Sequence, residues 1–246
     1  MNALFLSVII PAYNEERRIL STLQRVTEYL ASQDYSWNVV VANDGSTDRT
    51  ASLVQEFARD HPQVTLLPLV HRGKGWAVRS GMLASQAEHR FLCDADLSMP
   101  IEHLERFLPP HLASYDIAIG SREAPGARRF NEPPRRHLMG RLFNVVTRAL
   151  AVRGIHDTQC GFKCFRGAAA DLLFPIQRIP GFGFDVEVLF LAQRMDLRMV
   201  EVPIDWYYGR ESKVRPLRDA AAMSRDVLKV RWSAWRGKYG RLKGPR

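Results

Sequence analysis

Two short apolar runs, Leu6-Ser7-Val8-Ile9-Ile10 and Asn38-Val39-Val40-Val41-Ala42, flank a segment in which Ile19, Leu23, Val26 and Leu30 recur at helical spacing. Continuous β-branched runs of this kind suit strands buried on both faces of a parallel sheet, and parallel neighbours need a long crossover, usually a helix. The pattern continues along the chain. Asn14 and the acidic pair Glu15-Glu16 open the first helix; Gly45 permits a tight turn after the second run, where Ser46 or Thr47 can cap a helix carrying Leu53, Val54 and Phe57. Val64 to Leu69 reads as a third strand, Lys74 to Ala87 as a helix, Phe91 to Cys93 as a fourth strand and Ile117 to Ile119 as a fifth. Such alternation predicts an α/β fold: a Rossmann-like, mostly parallel sheet flanked by helices, with its ligand beyond the carboxyl ends of the strands.

The polar motifs fall where that rule puts a ligand. Asn14-Glu15, Asp44, Gly73-Lys74-Gly75, Asp94/Asp96 and Gly120-Ser121-Arg122 each follow a predicted strand, so one crevice can collect them. If Phe91-Leu92-Cys93 is a strand, alternation turns Asp94 and Asp96 to one side at its end, where two carboxylates can share a divalent cation. A cation bridging two phosphate oxygens makes a nucleoside diphosphate a good leaving group. Taken alone, Asp-x-Asp also reads as a solvated acidic turn after a buried strand.

A chain of 246 residues builds a core without disulfide staples. Cys93, Cys160 and Cys164 are an odd set with no Cys-x-x-Cys pair, which suits free thiols in a reducing compartment rather than a secreted scaffold or structural zinc. The start, Met1 to Pro11, lacks a basic n-region, and its apolar run is cut short by Pro11 and Asn14-Glu15-Glu16, so it fits neither a signal peptide nor a membrane anchor. Residues 124–136, rich in Pro, Arg and Gly, read as a mobile loop and a lid. A helix over 135–152 follows, too often interrupted by Arg to span a bilayer.

Thirty-five Lys and Arg against 26 Asp and Glu give a formal charge of +9, an excess that answers to phosphates, nucleic acid or an anionic membrane. No acid follows Asp226, while Lys229, Arg231, Arg236, Lys238, Arg241, Lys243 and Arg246 alternate with Trp232, Trp235 and Tyr239. Interleaved aromatic and basic residues suit a lipid headgroup layer; RNA or a frayed, solvated terminus are the other readings. The expected organisation is a single domain over 1–215, its nucleotide half about 1–122 and acceptor half about 123–215, followed by a basic aromatic tail, 216–246, lying peripherally on a membrane.

The stretches Ser7-Val8-Ile9-Ile10-Pro11-Ala12-Tyr13-Asn14-Glu15, Asn43-Asp44-Gly45-Ser46-Thr47-Asp48, Gly73-Lys74-Gly75, Asp94-Ala95-Asp96 and Gly120-Ser121-Arg122 together resemble the inverting family 2 glycosyltransferases with a GT-A fold. The second half, with Asp157-Thr158-Gln159-Cys160-Gly161-Phe162-Lys163, Phe182-Gly183-Phe184-Asp185-Val186-Glu187, Val202-Pro203-Ile204-Asp205-Trp206 and Ser212-Lys213-Val214, is similar to the polyprenyl-phosphate sugar transferases, dolichyl-phosphate β-glucosyltransferases above all. It departs from them at Glu211, where a glycine usually precedes Ser-Lys, and in starting without the membrane helix of the eukaryotic enzymes. Those departures leave the identity of the acceptor open.

The resemblance implies transfer of glucose from UDP-glucose to a polyprenyl phosphate with inversion. It implies that Pro11, Tyr13, Glu15 and Asp44 cradle the nucleoside, and carboxylates at Glu15 and Asp44 indeed accept hydrogen bonds from a base imide or ribose hydroxyls. Tyr13 either stacks on the base or packs beside Pro11. It further implies a phosphate or ribose contact for Lys74, Lys213 folding back over the diphosphate, and Asp96 as principal ligand of Mg²⁺ or Mn²⁺, with Asp94 on metal or ribose and Ser98 a further oxygen. Arg122 and one of Arg135 or Arg136 match the family's arginines at the acceptor phosphate, for which a guanidinium fork is suited. A phosphate acceptor is already anionic near pH 7 and needs no general base, so Asp185 either orients the sugar or caps its own helix; were the acceptor a hydroxyl, Asp185 and Glu187 are the candidate bases.

The expected partners are therefore a UDP-sugar, a polyprenyl phosphate and the cytoplasmic face of an anionic membrane, with no nucleic acid and no transmembrane helix. A GDP-mannose-dependent relative keeps the fold and changes the donor. A non-enzymatic basic module binding membrane or RNA is the alternative of a different class, and it predicts no metal-dependent nucleotide affinity.

Overall fold

The computed structural model describes residues 4–133, 152–209 and 216–240, with the side chains of 216–224 excepted. Four parallel strands and three helices come first: β1 (Leu6–Ala12), α1 (Ile19–Ala31), β2 (Trp37–Asn43), α2 (Thr50–Asp60), β3 (Val64–Pro68), α3 (Lys74–Ala84) and β4 (His89–Leu92). A 3₁₀ segment (Ile101–Phe107) leads to β5 (Ile117–Ser121) and β6 (Arg128–Phe130). Then come β7 (Lys163–Arg166), α4 (Gly167–Leu173), α5 (Phe184–Arg194), β8 (Met199–Pro203), β9 (Asp205–Tyr207) and α6 (Pro216–Trp235).

The main sheet runs β3-β2-β1-β4-β7-β5-β8, parallel except for β7, which is antiparallel to both its neighbours. Alternation along β1 divides the core. Val8 and Ile10 pack with Leu23 and Val26 of α1 on one face, and Ile9 packs with Val78 and Met82 of α3 on the other. Each fully buried aliphatic side chain contributes about 1.5–3 kcal/mol, so the two-sided burial fixes the register of β1 against β2, Leu6 opposite Trp37 through Ala12 opposite Asn43. Gly81 lets α3 lie on the sheet: a Cβ there would stand 2.4 Å from Ile9 Cγ2.

The expected fold class is the observed one, with local differences. The Ser85 backbone is extended and its Oγ accepts the Ala87 N–H, which ends α3 at Ala84 instead of Ala87. The first helix starts at Ile19, beyond Asn14 and Glu15, because Asn14 has φ +55° and its side chain accepts the Thr47 N–H instead. Neither Ser46 nor Thr47 caps α2; Asp48 Oδ1 accepts the Thr50 N–H. Within the stretch expected to be a loop, β6 pairs in parallel with β9, Arg128 opposite Asp205, and the Arg128 guanidinium grips the Asp205 carboxylate at 2.6 and 2.9 Å. The helix expected over 135–152 lies outside the described residues, apart from Val152.

The tail packs on the domain. Val227 and Val230 of α6 are buried, Asp226 packs against Gly183, and the buried Tyr239 donates its hydroxyl hydrogen to Glu187 at 2.7 Å. Leu228, Trp232 and Trp235 on the same helix stay exposed, 59%, 46% and 82% respectively. That spacing of four and three residues makes one stripe.

Candidate active site

Parallel strands end on one edge, and the polar motifs gather there. The β1 and β2 ends are tied together: Asn14 N donates to Ser46 Oγ at 2.9 Å and Glu15 N to Thr50 Oγ1 at 2.7 Å. Pro11 is buried within β1. Tyr13 stacks on His71 with ring centroids 4.1 Å apart, and the Glu15 carboxylate pairs with Arg18. Asp44, almost fully buried, accepts the backbone N–H groups of Arg72 and Gly73 at 2.9 and 2.8 Å and lies 2.8 Å from His71 Nδ1. It thus clamps the turn that leads into α3. Gly73 holds φ +119°, with a Cβ-free approach to Pro180 O that no other residue allows.

That turn aims Lys74 at the acidic motif. Lys74 Nζ stands 2.6 Å from Asp94 Oδ1, both side chains about a fifth to a quarter exposed at 22% and 24%. Burial is the largest single influence and would lower the Lys74 pKa; the charges of Asp94, Asp185 and Asp96, with the Asp94 hydrogen bond, together outweigh it and hold the ammonium above its ordinary value. Asp94 and Asp96 are brought together by a turn rather than by strand alternation. Strand β4 ends at Leu92, Leu97 takes φ +42°, and its N–H bonds to Asp94 O. Asp96 Oδ1 accepts the Ser98 N–H at 3.0 Å, so Ser98 holds the carboxylate in place. Desolvation by the crevice walls, then the Asp94 charge, raise the Asp96 pKa, although its outer surface meets solvent.

This pair fits a divalent cation. Asp94 Oδ1 is buried and lacks an aligned hydrogen bond, having only the Lys74 ion pair. Gly161 leaves room beside it, since a Cβ there would fall 2.1 Å from Asp94 Oδ2. Among the described residues no group of three or more His, Cys, Asp or Glu surrounds one point. Mg²⁺ typically uses one or two carboxylates and takes its remaining ligands from phosphates and water, so two suffice.

Two further carboxylates are engaged by cations. Arg122 donates to Asp157 through Nε at 2.6 Å, Nη2 at 2.8 Å and its backbone N at 3.0 Å, with the guanidinium 5.3 Å from the Trp206 ring. Burial would raise the Asp157 pKa, but the guanidinium prevails and holds it at about 2. Behind it, the buried Lys163 Nζ lies 2.6 Å from both Asp185 Oδ1 and Cys160 O. Asp185 therefore faces Lys163 and makes no helix cap; burial raises its pKa, with Lys163 and Lys74 opposing. Glu187 is sealed off, accepting the Arg178 and Ile179 N–H groups as well as the Tyr239 hydroxyl. Lys213, Arg135 and Arg136 lie outside the described residues.

Asp157 and Lys163 stand in the 157–163 motif, which by itself does not show what they hold. Their partners lie 35 and 22 residues away, beyond any local pattern.

A family model described as Glycosyl transferase family 2 matches residues 7–174, more than half of the chain. A dolichyl-phosphate beta-glucosyltransferase of Trichomonas vaginalis is 38% identical over 224 residues, covering 86% of this chain and 66% of that protein. The Drosophila melanogaster protein of the same name is 35% identical over 258 residues, covering 95% of this chain and 78% of its own length. Among solved structures, glucosyl-3-phosphoglycerate synthase from Mycobacterium tuberculosis, in complex with Mn²⁺, UDP-glucose and phosphoglyceric acid, superposes with a TM-score of 0.66 at 21% identity, covering 94% of this chain and 79% of that one. At that identity the likeness is one of fold, and it places the sheet in the GT-A class. With the motif order, strand-end crevice and relatives in agreement, the chain belongs to glycosyl transferase family 2 and is similar throughout to the dolichyl-phosphate beta-glucosyltransferases.

Proposed function

We propose that this protein transfers glucose from UDP-glucose to a polyprenyl phosphate of the dolichyl type, with inversion and with the assistance of Mg²⁺ or Mn²⁺. The observation that carries the reading is the Lys74, Asp94 and Asp96 cluster at the strand ends. Asp96, with Asp94, would hold the cation, which when bound neutralises charge on the departing diphosphate. The relatives' names supply the glucose and the lipid phosphate, and the neighbour crystallised with UDP-glucose and Mn²⁺ supports the donor and metal class.

The chain's own groups divide the remaining work. The β1 and β2 ends, with Tyr13, Glu15 and Asp44, flank the nucleoside; Lys74 adds a cation facing the diphosphate. Asp185 is buried and held by Lys163, an arrangement suited to accepting hydrogen bonds from sugar hydroxyls in one fixed orientation. The acceptor phosphate needs positioning and charge neutralisation rather than a base. Arg122, locked by Asp157, offers its remaining guanidinium edge, and one of Arg135 or Arg136 completes the acceptor set, while Lys213 belongs to the donor side over the diphosphate.

A long polyprenyl chain stays in the bilayer, so the crevice must come to the membrane surface. No helix among the described residues is long and apolar enough to cross a membrane. The exposed Leu228, Trp232 and Trp235 stripe, edged by Lys229, Arg231, Arg236 and Lys238, supports peripheral binding to the cytoplasmic leaflet. The three buried free thiols suit that reducing side. The donor is tested by offering UDP-glucose, other UDP-sugars and GDP-mannose with a short polyprenyl phosphate; the reading requires UDP-glucose to be preferred, and a preference for GDP-mannose would replace it.

A further inference from the structure

A cavity of about 850 Å³, lined by none of the residues proposed above for donor, acceptor or metal, opens between α3, the 175–180 segment and the turn at residues 238–240. That volume lies within the range of small-molecule sites. Four cations line it, Arg72, Arg79, Arg178 and Lys238, and its described lining includes no Asp or Glu. The nearby Glu187 is sealed behind the wall, where its carboxylate accepts the Arg178 and Ile179 N–H groups and the Tyr239 hydroxyl.

The cations are held rather than loose. Arg79 donates to Phe174 O and Pro175 O at 2.9 and 3.2 Å, and Arg178 to Lys238 O at 2.7 Å. Arg72 and Arg79 both stand against the Trp76 ring, at 4.8 and 5.8 Å. Carbonyl oxygens and an aromatic face orient a guanidinium without cancelling its charge, so the lining gathers four positive groups, with the Glu187 carboxylate behind Arg178 as their counter-charge. Such a concave basic site concentrates anions.

We propose that this cavity binds a phosphate ester, either a free phosphorylated small molecule or the headgroup of an anionic lipid, at a site separate from the nucleotide crevice. A planar guanidinium matches phosphate oxygens two at a time, and several donors favour phosphate over a single carboxylate. Both sources have access. Lys238 also stands 4.8 Å from the Trp232 ring, which joins the cavity rim to the exposed stripe on α6. The site stands whether or not the crevice takes a UDP-sugar.

The test uses the full chain, the double variant Arg72→Gln/Lys238→Gln, and the crevice variant Lys74→Ala. Arg72 and Lys238 are exposed and rest on aromatic rings, so their loss leaves the core untouched; near-UV circular dichroism verifies this. Inorganic phosphate titrated by calorimetry should bind the double variant at least about tenfold more weakly than wild type and bind Lys74→Ala as wild type does. Equal affinity in all three, or loss only in Lys74→Ala, would overturn the cavity site. Cosedimentation with phosphatidylcholine vesicles containing phosphatidylglycerol identifies the source. Because Lys238 also edges the α6 stripe, the vesicle arm uses Arg72→Gln alone: if its vesicle binding falls together with phosphate affinity, the ligand is a lipid headgroup; if it is kept while phosphate affinity falls, the ligand is a soluble phosphate ester.

Discussion

Lys74, the first residue of α3, places its ammonium 2.6 Å from the Asp94 carboxylate that follows β4, so one ion pair joins the glycine turn to the acidic motif. The ammonium is the partner of the buried Asp94 Oδ1, so its removal strands that oxygen. In the proposed reaction it also faces the donor diphosphate. Lys74→Met should therefore lower stability by about 1–3 kcal/mol and lower kcat/KM for UDP-glucose by one to two decades, the equivalent of about 1.5–3 kcal/mol for a charge-assisted contact. Unchanged kcat/KM would remove Lys74 from the diphosphate.

Arg122 and Asp157 behave differently, since Asp157 is fully buried and its partner fills both of its oxygens. Asp157→Asn strands a guanidinium and should cost about 3–5 kcal/mol by denaturant titration. The pH dependence follows from the depressed folded pKa of about 2. An unfolded aspartate titrates near pH 3.9, roughly. The ion pair's stabilisation is therefore complete above about pH 4 and is lost as pH falls from there towards 2. Wild type should lose stability over that window more steeply than Asp157→Asn; parallel curves would contradict the assignment.

Lys163 and Asp185 separate structure from chemistry. Either Lys163→Met or Asp185→Asn leaves one buried charge without its partner and should destabilise by about 3–5 kcal/mol, whereas Lys163→Met/Asp185→Leu removes both charges and should recover most of that loss. Turnover should not recover with it, because the sugar has lost its acceptor. A double variant that is both stable and active would make Asp185 purely structural.

The tail must be tested by point changes. Truncation before Val227 would strip Val227, Val230 and Tyr239 from the core and leave Glu187 without the Tyr239 hydroxyl, so it would report on folding. Trp235→Ala with Leu228→Ala spares these groups. The variant should bind anionic liposomes more weakly and transfer more slowly to membrane-embedded acceptor, with turnover on a short, water-soluble polyprenyl phosphate unchanged. Equal liposome binding would shift the membrane contact elsewhere.

The sequence announced the sheet and the crevice because both are local signals: β-branched runs at β1 and β2, helical spacing in α1, and polar motifs immediately after strands. It did not announce β7, where Cys164 and Phe165 are only two apolar residues between Lys163 and Arg166, each committed to long-range contacts. Nor did it announce that Asp44 would close the 72–73 turn, or that Glu187 would hold 178–179 and Tyr239, since a carboxylate's partners are chosen by the fold. Strand alternation predicts that Asp94 and Asp96 share a side, but the strand ends at Leu92, and a turn with Leu97 at positive φ brings the carboxylates together instead.

The most direct measurement is transfer of labelled glucose from UDP-glucose to a short polyprenyl phosphate by wild type and Asp96→Ala, each with Mn²⁺ and with EDTA, alongside circular dichroism. Wild type with Mn²⁺ should yield the β-linked glucosyl phosphate, and EDTA or Asp96→Ala should abolish the product while leaving the spectrum intact. Near-normal transfer in EDTA or by Asp96→Ala would contradict a metal-assisted reaction at the Asp94/Asp96 pair.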